Sequence, residues 1–349
     1  MKHTSYDKAD YKAIRNSAIP AAIMQSGLAH FDSADDVSAF FARELDYVKA
    51  KSYDKLYPQF TALNLFPITS EADPGAETVT YYTYDREGFA KIIDNYSDDL
   101  PRADVNGKPN IAQVKSLGAS YGYSAQEMRA SRMAGKSLDS RKAESARYQI
   151  DNLNNKIAWC GDAASGLLGV LSNGTQVPTY TNSTGATSGK TKWTEKTAEE
   201  ILFDVNAMAA QVSRMTKDVE RPDTLCVPND VFMDISTRQL PHTAVTVKKF
   251  ILDNAPYLKD IVSTPELNAD SPETNPYAEG APGVDPHAGV GVAFLFTNSA
   301  EKMSLENPMP FMQYPVQPHN LETVIPCEAR TAGIIFYYPF SALICTGVS

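Results

Sequence analysis

Residues 74–123 read PGAETVTYYTYDREGFAKIIDNYSDDLPRADVNGKPNIAQVKSLGASYGY. Pro74-Gly75 marks a turn. Glu77 to Asp85 is rich in Thr, Tyr and Val and alternates, which is strand chemistry. Phe89 to Tyr96 continues in that style. Asp98 to Asn110 is polar, holds two prolines, and contains Asn106-Gly107, a strong tight-turn signal. Ile111 to Tyr123 returns as a strand with glycines. The whole stretch therefore predicts a long two-stranded excursion with a polar tip. A lone hairpin is marginal in water, so a long one needs cover from something else.

Working outward, Ser124 and Glu127 form a capping box for a short helix ending near Gly135. Ser137 opens a longer helix of about 24 residues, roughly 36 Å at 1.5 Å per residue. Ala143, Ala146, Ile150, Leu153 and Ile157 make its narrow apolar seam, while Asp151 and Asn155 are expected outside it. Upstream, residues 1–60 read as an extension with helical pieces. Val37, Phe40, Phe41, Leu45 and Val48 form a stripe at helical spacing behind a Ser33 cap. Such a stripe on an arm needs a surface to cover.

Downstream, Gly166 to Thr191 is Gly-, Ser- and Thr-rich loop. Thr197 and Glu200 make a second capping box, followed by Ile201, Val205, Met208, Val212 and Met215 on one helix face. Thr224–Val227 is a buried strand, Val245–Asn254 a helix, and Val290–Phe296 a buried strand. Leu267 to His287 holds four prolines and few large apolar residues, and is expected to be a long exposed loop. The remainder is strand-rich and broken by prolines. Helices and strands mix without βαβ regularity, which implies an α+β class.

Composition narrows the function. The chain has 349 residues, 43% of them hydrophobic, enough for a sizeable core. Net charge is −10, with nine carboxylates and two lysines (9 − 2 = 7 excess acids) between Asp253 and Glu306. No basic block suggests tight nucleic-acid binding. Four cysteines without a C-x-x-C pair read as reduced, mostly buried thiols. No apolar run is long enough to cross a bilayer, and no segment of secretory type opens the chain.

Enzyme-like motifs fail on inspection. Gly185–Thr191, Gly-Ala-Thr-Ser-Gly-Lys-Thr, has three residues between its glycines where a phosphate loop needs four. Gly289-x-Gly291 lacks the third glycine of a dinucleotide fingerprint. No histidine has a partner at metal-ligand spacing, and His319 with Cys327 carries no recognisable catalytic motif. No catalytic residue, cofactor site or metal site is assigned. A chain with an arm, a long hairpin and a seam helix spends its sequence on contacts.

Residues 74–105, together with Ser120-Tyr-Gly-Tyr-Ser, Arg141-Lys-Ala-Glu-Ser-Ala-Arg, Ile157-Ala-Trp-Cys-Gly-Asp and Glu220-Arg-Pro-Asp-Thr-Leu, resemble a family of tailed-phage major capsid proteins once catalogued only as a domain of unknown function. The resemblance spans about residues 55–349. It implies the Hong Kong 97-like capsid fold, with an N-terminal arm at 1–60 and an extended loop at 86–118. It places a peripheral domain at 61–85, 119–165 and 296–338, with a spine helix at 137–160. The axial domain would take 166–295, and 339–349 would return to it as a strand. The implied function is a coat protein that self-assembles as hexamers and pentamers into an icosahedral shell around double-stranded DNA. It would be a virion component assembled in the host bacterial cytoplasm. Implied partners are further copies of the chain, a portal, a scaffold or decoration protein, and packaged DNA through non-specific contacts. Candidate intersubunit contacts are Arg86, Lys91, Asp98, Asp99, Arg102 and Lys108 on the loop, and Phe40, Phe41 and Leu45 on the arm. Some members of the wider fold crosslink Lys to Asn between subunits, and no motif around Lys91 or Lys108 supports that chemistry here. The alternative is an encapsulin-type nanocompartment shell, which shares the fold.

Overall fold

The computed structural model describes residues 60–92, 100–134, 141–278 and 289–349. The arm expectations, with Phe40, Phe41 and Leu45, lie outside these residues, as do Asp98 and Asp99.

The described chain opens with a one-turn helix, α1 (Ala62–Leu65), and a short strand, β1 (Ile68–Thr69). Strands β2 (Thr78–Glu87) and β3 (Asp104–Gln113) then pair antiparallel over ten residues each. Asn106-Gly107 lies inside β3 and not in a turn, with Gly107 opposite Tyr84. A β-carbon on Gly107 would sit 3.0 Å from the Tyr84 ring. The glycine leaves room for an aromatic ring lying across the ribbon, a known use of glycine in strands. The expected single strand 111–123 is two: the ladder breaks at buried Val114, and β4 (Lys115–Ser124) pairs with a different strand altogether.

The Ser124–Glu127 capping box forms in both directions and starts α2 (Ala125–Ala134). The long helix is α3 (Arg141–Cys160). It ends where Gly161 adopts φ +70 and donates its N–H to the Ile157 carbonyl, a left-handed helix stop. Ala146, Ile150 and Ile157 face inward as expected, but Leu153 is 43% exposed and Asn155 is buried. The reason is that α1 crosses the far side of α3. Asn155 Oδ1 accepts from Ala62 N–H, and its Nδ2 donates to Glu266 Oε1. Glu266 also accepts from the Thr61 N–H and hydroxyl, so two buried polar side chains satisfy the first donors of α1.

Next come β5 (Thr179–Thr181), α4 (Ala198–Thr216), β6 (Thr224–Val227), α5 (Asn229–Thr237), α6 (Val247–Asn254) and β7 (Asp260–Ser263). The C-terminal part holds β8 (Val292–Phe296), β9 (Met303–Glu306), β10 (Met309–Gln313), β11 (Gln317–His319), β12 (Glu322–Thr331), β13 (Gly333–Phe336) and β14 (Ala342–Thr346). A five-stranded mixed sheet runs β5-β14-β8-β6-β7. Its three central strands, β14, β8 and β6, are buried on both faces, hence their nearly continuous apolar runs. Leu225, Leu295 and Leu343 face the core under α4, α5 and α6. Cys226, Phe294 and Ile344 face a second core shared with Phe66, Trp159 and Leu305. A three-stranded sheet, β1-β9-β13, closes that second core. Strand β12 is flanked by β4 on one side and by β10 and β11 on the other, and α3 lies on this sheet through Leu117, Ala146, Ile150 and Ala329.

The expected exposed loop after Leu267 is packed in its described half. Leu267, Asn275 and Ala278 are fully buried. Asn275 Nδ2 donates to the carbonyls of Leu267, Asn268 and Val290, so one amide replaces the apolar anchors that composition lacks. Residues 279–288 lie outside the described set. On α4, Met215 is half-exposed and outside the core cluster where the stripe expects burial.

Candidate functional site

Pairing fixes which residues share a face of the β2–β3 ribbon, since directly opposed residues in an antiparallel pair point the same way. One face carries Val79, Tyr81 and Thr83 with Lys108, Asn110 and Ala112. This face looks at the body of the molecule. Tyr81 packs edge-on against Tyr337, with ring centroids 5.2 Å apart, and its hydroxyl donates to the Phe336 carbonyl. Burial beside Tyr337 pushes the Tyr81 phenol above its ordinary pKa, so it stays a donor. A cleft of about 340 Å³ remains under this face, lined by Thr83, Lys108, Asn110, Leu168 and Tyr337 among others.

The opposite face is the more apolar one and looks away from the body. Tyr82, Tyr84, Val105 and Ile111 are 62%, 71%, 56% and 64% exposed. Tyr82 and Tyr84 stack with centroids 6.5 Å apart. At the tip, Phe89, Ile92 and Leu100 are exposed as well. No other strand pairs with either edge of the ribbon among the described residues. Ten-residue strands with an outward aromatic face are an unstable arrangement in water alone and a usual one at an interface.

The charged candidates are distributed around this ribbon. Arg86 and Lys91 line an open hollow at the tip with Phe89 and Leu100. Arg102 is exposed at the start of the return to β3. Lys108 sits on the body-facing side, away from the first two. Sequence reading named the charges and missed the tyrosines. The signal was present, because Tyr82 and Tyr84 fall two apart in an alternating run.

The enzyme-like motifs resolve into structure. The amides of Thr187 and Ser188, in the phosphate-loop look-alike, donate to Glu200 Oε1, and Thr197 N–H donates to Oε2. The carboxylate occupies the place a phosphate would need, and these donors hold its pKa down to about 2. His319 pairs with Glu322 while Cys327 pairs with Ala119, five residues on along β12, about 17 Å at strand spacing. Burial pushes the Cys160 thiol up to about 11 and those of Cys226 and Cys345 up to about 12, so they remain protonated near neutrality. Among the described residues no group of His, Cys, Asp or Glu is arranged to hold a metal ion. No described helix is long and apolar enough to cross a membrane.

Beneath that loop lies a buried polar knot. Lys196 and Asp204 are fully buried and ion-paired. Asp204 also accepts from the Ser183 hydroxyl at 2.8 Å and the Trp193 indole at 3.1 Å. Lys196 donates further to Asn182 Oδ1 and the Ser183 carbonyl. Asn182 Nδ2 in turn donates to the Gly347 carbonyl, which ties the knot to the segment after β14. Every charge is satisfied and none faces solvent, so the knot is architecture.

Comparison with known proteins agrees with a contact-built molecule. No curated protein matches the sequence. The family model described as major capsid protein matches residues 88–273, more than half of the chain. Among solved structures, the capsid of Myoviridae phage XM1 is similar with a TM-score of 0.72 at 14% identity, covering 90% of this chain and 100% of that one. The capsid of a native GTA particle gives 0.58 at 8% identity, covering 91% and 100%. Mycobacterium phage Ogopogo gives 0.55 at 12% identity, covering 87% and 96%. At these identities the likeness carries the fold, the family match carries the class, and together they make this chain a member of the major capsid protein family of phages and phage-like particles, built on the Hong Kong 97-like fold.

Proposed function

We propose that the chain assembles as hexamers and pentamers into an icosahedral shell enclosing double-stranded DNA, and that its role is structural, not catalytic. The observation that carries this reading is the β2–β3 ribbon, whose apolar face is turned away from its own subunit. A second copy supplies the missing cover. In this reading the ribbon and its tip are the extended loop, α3 is the spine helix of the peripheral domain, and the five-stranded sheet with α4, α5 and α6 is the axial domain. The contact is made by Tyr82, Tyr84 and Ile111 on the ribbon face, with Arg86, Lys91, Asp98, Asp99 and Arg102 steering and fixing register around it, while Lys108, on the body-facing side, takes no part in it. The arm residues Phe40, Phe41 and Leu45 contribute a second contact of the same kind. Portal, scaffold or decoration partners belong to the same reading, as does assembly in a bacterial cytoplasm.

The test is assembly of the full chain followed by sedimentation and negative-stain microscopy, beside a Tyr82→Ser/Tyr84→Ser variant. Fast-sedimenting closed particles from the parent chain, and slow folded subunits from the variant, support the proposal. A parent chain that stays monomeric at high concentration, with scaffold candidates supplied, would count against it.

A further inference from the structure

The two edges of the β2–β3 ribbon are unlike. Val114 N–H donates to the Glu77 carbonyl at 2.9 Å. In the unbroken antiparallel register this makes Tyr81–Asn110, Thr83–Lys108 and Asp85–Asn106 pairs that exchange ladder bonds. The alternate pairs turn their main-chain groups outward. Strand β2 therefore presents Thr78, Thr80, Tyr82, Tyr84 and Arg86 along one edge, and β3 presents Val105, Gly107, Pro109, Ile111 and Gln113 along the other. The β3 edge is closed to a further strand. Pro109 has no N–H and stands mid-strand at an outward position, where its absence costs the ribbon nothing. The Val105 N–H is taken by Asp104 Oδ1 at 2.8 Å. The free side of β7 is closed in the same manner: the Ile261 N–H donates to Asp260 Oδ1 at 2.7 Å, and Lys248 Nζ donates to the Ile261 carbonyl at 3.1 Å. No such guard stands on β2. None of its five outward residues is proline, and no described side chain hydrogen-bonds their main-chain groups.

We infer that the open β2 edge receives a strand from a second copy of this chain, which turns the two-stranded ribbon into a three-stranded sheet. The inference rests on the shell reading and adds a main-chain contact to it. Two observations name the occupant. The outward residues of β2 include Tyr82 and Tyr84, so the side chains of an added strand fall beside that exposed stack and cover it. The neighbour that covers the tyrosine face is the one within reach of the edge. The closure of β3 points the same way. With both edges open, the β2 edge of one ribbon would pair with the β3 edge of the next, and copies would stack without limit. A guard on one edge alone is what a chain that meets copies of itself requires. A separate strand-bearing protein is the alternative occupant, and it would give the β3 guard no purpose.

The test compares the full chain with Thr80→Pro and, as a control, Gln113→Pro. Both residues turn their N–H outward, so neither proline removes a ladder bond within the ribbon. Particle formation is followed by light scattering, and amide exchange is measured on free subunits and on particles. Thr80→Pro is expected to stay folded and to raise the threshold concentration for particles roughly tenfold or more, with Gln113→Pro at the parent threshold. In parent particles the Thr80, Tyr82 and Tyr84 amides should exchange at least about tenfold more slowly than in the free subunit, a readout that stands even where the proline variant does not fold. Shells from Thr80→Pro at the parent threshold, or unchanged exchange of the three amides in parent shells, overturn the inference and leave the shell reading intact. Equal loss in both proline variants without that protection overturns it too, because the ribbon's own fold then carries the effect. Protection that arises only when a separate shell protein is added overturns it by assigning the edge to that protein. A parent chain that forms no shells overturns the shell reading and this inference with it.

Discussion

Lys196 and Asp204 show how much a single residue can matter in this fold. Both are fully buried, and each satisfies the other's charge along with Asn182, Ser183 and Trp193. Removing one partner strands a charge in a low-dielectric interior, at a cost of roughly 3–5 kcal/mol. Lys196→Met or Asp204→Leu alone should therefore lower the denaturation midpoint of the unassembled subunit sharply. The double variant should recover most of the loss, because a buried pair is worth little against well-packed apolar side chains. Equal loss in the single and double variants would show that the knot holds the loop by shape and not by charge pairing. None of this was legible beforehand: Lys196 precedes a capping box on a polar stretch and reads as a surface residue. Gly107 is a similar case. As a dipeptide Asn106-Gly107 signals a turn, and only the opposing Tyr84 ring explains why a glycine stands inside a strand.

At the scale of elements, the helices with capping boxes were readable in advance because caps act within four residues. The boxes at Ser124–Glu127 and Thr197–Glu200 both form. What the sequence could not disclose was which helix face meets a partner distant in the chain. Asn155 looks solvated on a helical wheel, yet it is buried because α1 and Glu266 arrive from 93 and 111 residues away. Asn155→Ala would leave the Ala62 N–H unpaired and Glu266 short of a donor, costing about 1–3 kcal/mol. Hydrogen exchange at Ala62 should rise with it, and unchanged protection there would mean that Asn155 is incidental.

The loop over Glu200 makes a pH-dependent prediction. This carboxyl has its pKa lowered from 4.5 to about 2 by the Ser188, Thr197 and Thr187 donors. A depressed carboxylate contributes stability above its unfolded pKa and loses it as pH falls through the folded one. Exchange protection of the Thr187 and Ser188 amides should accordingly hold at neutral pH and decline between about 4.5 and about 2. In Glu200→Gln that pH dependence should vanish, with protection low throughout. A variant that keeps the parent profile would assign the transition to other carboxylates.

For the whole molecule, the excursion at residues 74–123 was legible as a two-stranded feature, and its need for cover followed from hairpin physics. Its exact pairing was not, because the break at Val114 depends on β12, some two hundred residues downstream, claiming β4 for its own sheet. Nor was the outward direction of its tyrosine face, since alternation gives two faces without saying which one the body takes. In the proposed shell, that direction is what turns the ribbon toward a neighbouring copy. Tyr84→Ala should leave the subunit folded and weaken each contact by about 2 kcal/mol if the ring is a central anchor. That is well over tenfold per contact, visible as a raised threshold concentration for particles in light scattering.

The central claim, a shell subunit whose ribbon is completed by a neighbour, is tested most directly by cryo-electron microscopy of particles formed by the full chain. The account predicts closed shells of six- and fivefold rings, with Tyr82, Tyr84 and Ile111 covered by an adjacent subunit. Shells in which that face stays open to solvent, or a chain that forms no shells at all, would contradict it.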